Sequence, residues 1–254
     1  MIANGSQFLR IAHRGAAALE PENTLLGIET ALRYGVEMVE IDVRPCKDGT
    51  LVVIHDDDLR RTANVDGRVS ELSLTELQRL DVGKGERIPT LEEALALLKG
   101  RALVNLDQKR DNLAGPLLAA IDSAGSRDET MLSGNAQATF EAFRRQVPSV
   151  RIALSIDASP YDAPRILLGR IAAAGARGEA GRIVAMARAA CVPCVTLQWR
   201  LASAPVVARL KRAGLQVLTW TVDDPATMRR LQAAGVDGIT SNRPDLLVAA
   251  TSAS

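Results

Sequence analysis

Apolar runs of strand length recur along the chain. Most are separated by stretches whose apolar positions repeat at helical spacing. The strand-like runs are LRIAH (9–13), VEMVEIDVR (36–44), LVVIH (51–55), RALVNLDQK (101–109), TMLSG (130–134), VRIALSI (150–156), CVTLQW (194–199), QVLTWTV (216–222) and DGITSN (237–242). Between them lie amphipathic segments such as NTLLGIETALRYG, LEEALALLKG, LAGPLLAAIDSAG, APVVARLKRAG and PATMRRLQAAG, closed by glycine as helices often are. Ser73 with Glu76 and Thr90 with Glu93 have the spacing of capping boxes. Asp224 before Pro225 reads as an N-cap followed by proline at the first helical position.

This alternation predicts parallel strands joined by crossover helices. A doubly wound open sheet and a closed (β/α)8 barrel both satisfy it. Nine runs reduce to eight if one belongs to a local hairpin, and Lys47-Asp48-Gly49 between the second and third runs suits a hairpin turn. A length of 254 residues is usual for a barrel. The first strand is not followed by Gly-x-Gly-x-x-Gly, which weakens the dinucleotide-binding alternative. The expected fold is therefore a TIM barrel forming one catalytic domain over 1–254. The polar, charge-rich stretch 56–87 breaks the rhythm and is expected to be a small insertion over the barrel mouth, with a short helix at LTELQRL; an ordinary surface loop would look the same. The small, Gly-rich stretch 172–182 has no clear place in this scheme.

Composition narrows the chemistry. The formal net charge is +1, so no overall field draws in nucleic acid or a membrane surface. Aromatic residues make up 3%, too few for base stacking or headgroup anchoring. No apolar run is long enough to span a bilayer, and MIANGSQF lacks the pattern of a signal peptide. Three cysteines, Cys46, Cys191 and Cys194, make no disulfide framework and suit a reducing, cytoplasmic compartment. Cys191 and Cys194 lead into a strand rather than opening a helix, and no second pair completes a zinc site.

The polar residues within the strand runs carry the functional signal. Glu40 and Asp42 share one strand face, where a solvated strand end or a bound divalent cation would each relieve their repulsion. Hard carboxylate oxygens suit Mg²⁺, Ca²⁺ or Mn²⁺. Asn105, Asp107 and Lys109 share another face, as a metal and phosphate ligand set or as a plain ion pair. The only two histidines, His13 and His55, also end strand runs, and Arg14 follows the first. Catalytic groups of barrels collect at the C-terminal ends of different strands. Two histidines, three carboxylates and two cations at equivalent places are hard to explain as packing.

These residues fall in a longer pattern: His13-Arg14-Gly15, Pro21-Glu22-Asn23-Thr24, Gly35, Glu40-Ile41-Asp42, Lys47-Asp48-Gly49, Leu51-Val52-Val53, His55-Asp56, Leu59, Arg61-Thr62, Asn105-Leu106-Asp107-Gln108-Lys109, Trp220-Thr221-Val222 and 235–240 with Pro244. The pattern closely resembles the glycerophosphodiester phosphodiesterase family over nearly the whole chain. The resemblance implies a (β/α)8 barrel with an insertion after the second barrel strand. It also implies metal-dependent hydrolysis of a small-molecule glycerophosphodiester to sn-glycerol 3-phosphate and an alcohol. By that match His13 and His55 form the acid–base pair, Glu40, Asp42 and Asp107 hold one divalent metal, and Arg14 and Lys109 face the phosphate. Trp220 is either a wall against the glycerol or core packing. Glu22 and Asn23 are expected to shape the first loop and cap the helix after it. The family usually has glutamate where this chain has Asp107, and threonine where it has Cys46. A lysophospholipase D or sugar-phosphate diesterase would use the same residues, and a non-catalytic phosphodiester-binding barrel is the rival of another class. The oligomeric state is not encoded in these patterns.

Overall fold

Eight parallel strands close on themselves, and a ninth is added as an antiparallel hairpin partner. The computed structural model describes residues 7–157 and 178–252. The strands are β1 Leu9–His13, β2 Met38–Pro45, β3 Leu51–Val53, β4 Leu103–Gln108, β5 Thr130–Gly134, β6 Arg151–Ile156, β7 Cys194–Gln198, β8 Gln216–Trp220 and β9 Gly238–Ser241. The sheet order is β1-β9-β8-β7-β6-β5-β4-β2-β3, and β1 also pairs with β2, which closes the barrel. All nine strand-like runs are strands, and the hairpin is where Lys47-Asp48-Gly49 placed it: β2 and β3 pair antiparallel through Val43–Val53 and Pro45–Leu51.

Inside the barrel, Leu9, Ile11, Met38, Met131, Ala153, Cys194 and Leu218 pack into an apolar cluster. Side chains alternate faces along a strand, so the residue two places on from each of these also points inward. Beyond Ile11, already in the cluster, those residues are His13, Glu40, Ser133, Ser155, Thr196 and Trp220. One face of each strand thus runs from an apolar floor to a polar mouth at the C-terminal strand ends. The opposite faces, including Val39, Ile41, Val104, Leu106, Leu132, Val195 and Val217, join the larger core against the helices.

The helices begin as the capping signals require. Ser73 and Thr90 both form complete capping boxes, opening Leu74–Leu77 and Leu91–Leu98. The Asp224 side chain accepts from Thr227 N at 2.8 Å, with Pro225 in the first turn. Residues 56–87 carry short helices at Arg60–Ala63 and Leu74–Leu77. They enclose a separate apolar cluster of Cys46, Val52, Ile54, Leu59, Val69, Leu77, Val82 and Ile88. Cys46 is simply packed. In the Gly-rich stretch, 172–177 lies outside the described residues, and 178–182 opens the helix Gly178–Ala189. Among the described residues no helix is long and apolar enough to cross a membrane.

Candidate active site

A cavity of roughly 650 Å³ opens at the C-terminal ends of the strands. His13, Arg14, Glu40, His55, Asp107, Lys109 and Trp220 all line it. Asp42, fully buried, sits directly behind. All eight sequence-predicted site residues are thus gathered at one end of the barrel, as the strand registers require: His13 is level with Glu40, Glu40 with Asn105, and Asp42 with Asp107.

The chain leaves β1 through a tight turn in which Arg14 and Gly15 both have positive φ, 51° and 79°. Gly15 is needed twice over. A Cβ there would lie 2.6 Å from the carbonyl carbon of Gly27 in helix Leu25–Arg33. The turn brings Arg14 N within 2.9 Å of Glu40 Oε2, and Arg14 Nε within 3.1 Å of Asp42 Oδ2.

The expectation that Glu22 and Asn23 cap the next helix needs correcting. Thr24 is the cap, its hydroxyl accepting from Gly27 N at 3.1 Å. Asn23 does shape the loop, donating its N–H to Arg14 O at 2.9 Å. Its φ of 59°, a conformation asparagine tolerates, turns its amide away from the helix and toward the site. There Asn23 Nδ2 donates to Asp42 Oδ2 at 2.8 Å, and Asn23 Oδ1 accepts from Asp42 N at 3.1 Å. Glu22 accepts from Arg14 Nη1 at 3.1 Å and from Arg61 at 2.7 and 2.8 Å, so it ties two guanidinium groups together.

Ligand oxygens of Glu40, Asp42 and Asp107 lie within 4.8 Å of one another. The shorter aspartate at 107 therefore still reaches the cluster. Gly134 leaves it room, since a Cβ there would stand 3.1 Å from Asp107 Oδ1. Burial, together with the charges of Asp42 and Asp107, pushes the Glu40 carboxyl well above the ordinary carboxylate range. Burial acts the same way on Asp42, but Lys109 and Arg14 outweigh it and hold Asp42 low. Lys109 Nζ lies 2.6 Å from Asp107 Oδ2 and 2.8 Å from Asp42 Oδ1. Asp42 is thus tied to Lys109 at one oxygen and to Arg14 and Asn23 at the other. Burial lowers the Lys109 ammonium, but the three carboxylates prevail and push it up to about 12. Three carboxylates converging within 4.8 Å, one of them Glu40 held protonated by its burial and its acidic neighbours, form an all-oxygen set that fits a hard divalent cation.

Each histidine is held from behind. His55 Nδ1 is 2.6 Å from Asp56 Oδ1, and Asp56 Oδ2 accepts from Arg61 Nε at 2.5 Å. His13 Nδ1 is 2.6 Å from Asn242 Oδ1. Burial, then the nearby Arg14 charge, lowers the His13 pKa below that of an ordinary histidine. Trp220 is half-buried and donates Nε1 to Thr196 O at 3.3 Å, so its ring is a fixed part of the cavity wall. The braces Asn23, Asp56, Arg61 and Asn242 were not assigned these contacts from sequence. Asp56 and Asn242 could have been found, one adjoining a site histidine and the other two residues on from inward-facing Thr240.

The glycerophosphoryl diester phosphodiesterase family model matches residues 13–246. The chain belongs to that family. It is accordingly an enzyme of the phosphoric diester hydrolase class. A glycerophosphodiester phosphodiesterase of Caldanaerobacter subterraneus subsp. tengcongensis is 30% identical, over 94% of this chain and 96% of its own. Among solved structures, a glycerophosphodiester phosphodiesterase of Agrobacterium tumefaciens superposes with a TM-score of 0.75 at 27% identity, covering 96% of this chain and 100% of the other. An Oleispira antarctica phosphodiesterase, solved with its product sn-glycerol-3-phosphate, has the same fold, with a TM-score of 0.80 at 24% identity over 97% of this chain and 98% of the other.

Proposed function

We propose that the protein hydrolyses glycerophosphodiesters to sn-glycerol 3-phosphate and an alcohol, using one divalent cation, Mg²⁺ or Ca²⁺. The reading rests on one arrangement: two histidines braced at Nδ1 stand at the same barrel mouth as the Glu40, Asp42 and Asp107 cluster. Glu40, Asp42 and Asp107 hold the cation, which when bound neutralises phosphate charge and acts as a Lewis acid.

Arg14 and Lys109 bind the phosphodiester. The arginine can engage two oxygens, and the lysine acts as a point charge that stays ionised. Both stabilise the charge that builds up in the in-line transition state. His13 and His55 supply the two proton transfers, one from the nucleophile and one to the leaving alkoxide. Burial favours neutral His13, which suits it to accept a proton. His55, held at Nδ1 by Asp56, is left to supply the other transfer. Trp220 forms an apolar wall for the glycerol. Residues 56–87 act as a small insertion over the mouth of a single barrel domain, with Asp56 and Arg61 as its contribution to the site. The free thiols suit a cytoplasmic setting.

A substrate panel followed by phosphorus NMR tests this reading. Glycerophosphoethanolamine and glycerophosphocholine should yield glycerol phosphate. Cleavage of lysophospholipids or sugar phosphodiesters instead would move the assignment to another diester, and turnover of none would leave a binding protein.

A further inference from the structure

We infer that Asn242, locked in place by Asp223, is a positioning residue that fixes the tautomer of His13. The two residues lie behind the imidazole rather than on the cavity wall. Asp223 Oδ2 accepts from Asn242 Nδ2 at 2.7 Å, and Asp223 Oδ1 accepts from Asn242 N at 2.8 Å and from Ser241 Oγ at 2.8 Å. A carboxylate only accepts, so the amide nitrogen of Asn242 must face Asp223 and its oxygen must face His13. Asn242 Oδ1, 2.6 Å from His13 Nδ1, then requires that ring nitrogen to carry hydrogen. In the neutral ring this leaves the lone pair on Nε2, the nitrogen on the Glu40 side, 3.8 Å from Glu40 Oε2. Without the lock the amide could turn over, offer its NH₂ to Nδ1 and put the hydrogen on Nε2.

The sequence relation between the two residues is long-range in one sense and local in another. Asp223 follows β8 and Asn242 follows β9, and these strands are neighbours in the sheet, so the barrel itself sets the lock. His55 reaches the same tautomer by a different route, with Asp56 as a directly bonded carboxylate. The neutral amide behind His13 orients that ring without adding a charge to it.

The chain has only two histidines, so nitrogen NMR of ¹⁵N-histidine-labelled protein resolves both rings. In the wild type, neutral His13 should show a protonated Nδ1 and an unprotonated Nε2. The opposite pattern would overturn the inference without any variant. Asn242→Leu, near in shape but without an acceptor, should give a mixed tautomer and lower kcat by about 10- to 100-fold, the range seen when the partner that orients a metal-bound histidine is removed. KM should stay close to the wild-type value. Exchanging the pair, Asn242→Asp with Asp223→Asn, keeps an acceptor at His13 and a donor between the two side chains, and should recover the Nδ1–H tautomer and most of kcat. Unchanged tautomer and kcat in Asn242→Leu would also refute the role. The kinetic part rests on the proposed diesterase reaction. Wild-type protein inert on every diester would refute that reaction, while the wild-type spectrum would still decide the tautomer.

Discussion

Lys109 Nζ lies 2.8 Å from Asp42 Oδ1, an ion pair joining the mouth ends of two neighbouring strands. With its ammonium pushed up to about 12, Lys109 stays charged throughout the range in which enzymes are assayed. Lys109→Met keeps the length of the side chain and removes the charge. Its kcat/KM should fall on the order of 100- to 1000-fold, the usual effect of removing a group that stabilises transition-state charge. A rate within a few-fold of wild type would take Lys109 out of the reacting site.

Glu40 links metal binding to pH. Its folded-state pKa is raised above the ordinary 4.5, so its favourable contribution is full below that value and is lost as pH rises through the folded one. A bound cation removes this penalty by favouring the charged carboxylate. The rise in Tm on adding Mg²⁺ or Ca²⁺ should therefore grow from acid toward neutral pH, and calorimetry in different buffers should detect proton release on binding. Glu40→Gln should show a smaller rise that depends less on pH. A Tm shift that is the same at every pH would contradict this linkage.

The three thiols should react very differently. Cys191 is exposed, while Cys46 and Cys194 are buried. Burial inside the barrel, with some help from Asp237, pushes the Cys194 thiol up to about 12. Since the thiolate is the reactive form, native protein at mildly alkaline pH should take up one alkylating group at Cys191, and denatured protein three. Fast labelling of Cys194 in the native state would mean that the barrel interior opens.

Gly15→Ala should destabilise the fold although Gly15 bears no side chain. Positive φ alone costs on the order of 1–3 kcal/mol for a residue with a Cβ. The 2.6 Å approach to Gly27 adds to that, because it meets backbone that cannot rotate away. Urea unfolding should show a loss exceeding about 3 kcal/mol. A loss below about 1 kcal/mol would show that the turn relaxes.

How far the sequence discloses this molecule depends on whether a signal is local. Strands and caps are local: apolar runs of strand length marked all nine strands, and Ser73, Thr90 and Asp224 carry their capping partners within three residues. Barrel closure brings the strand ends together, so His13, Glu40 and Asp107 could be grouped before their distances were known. Asn242 is different. It lies 229 positions from the histidine it braces; its place two residues on from Thr240 puts it at the mouth, but only the folded barrel shows which side chain it meets. Asn23 was misread because an asparagine before a helical run usually caps it; here Thr24 takes that place, and a positive φ turns Asn23 toward Asp42.

The central claim is tested most directly by incubating purified protein with glycerophosphoethanolamine and measuring glycerol 3-phosphate, with Mg²⁺ or Ca²⁺ and then with excess chelator. Release with either cation should stop with chelator and return when the cation is restored, and His55→Ala and Glu40→Gln should each abolish most of it. Full release in the presence of chelator, or undiminished release by Glu40→Gln, would contradict a reaction run by a cation at Glu40, Asp42 and Asp107.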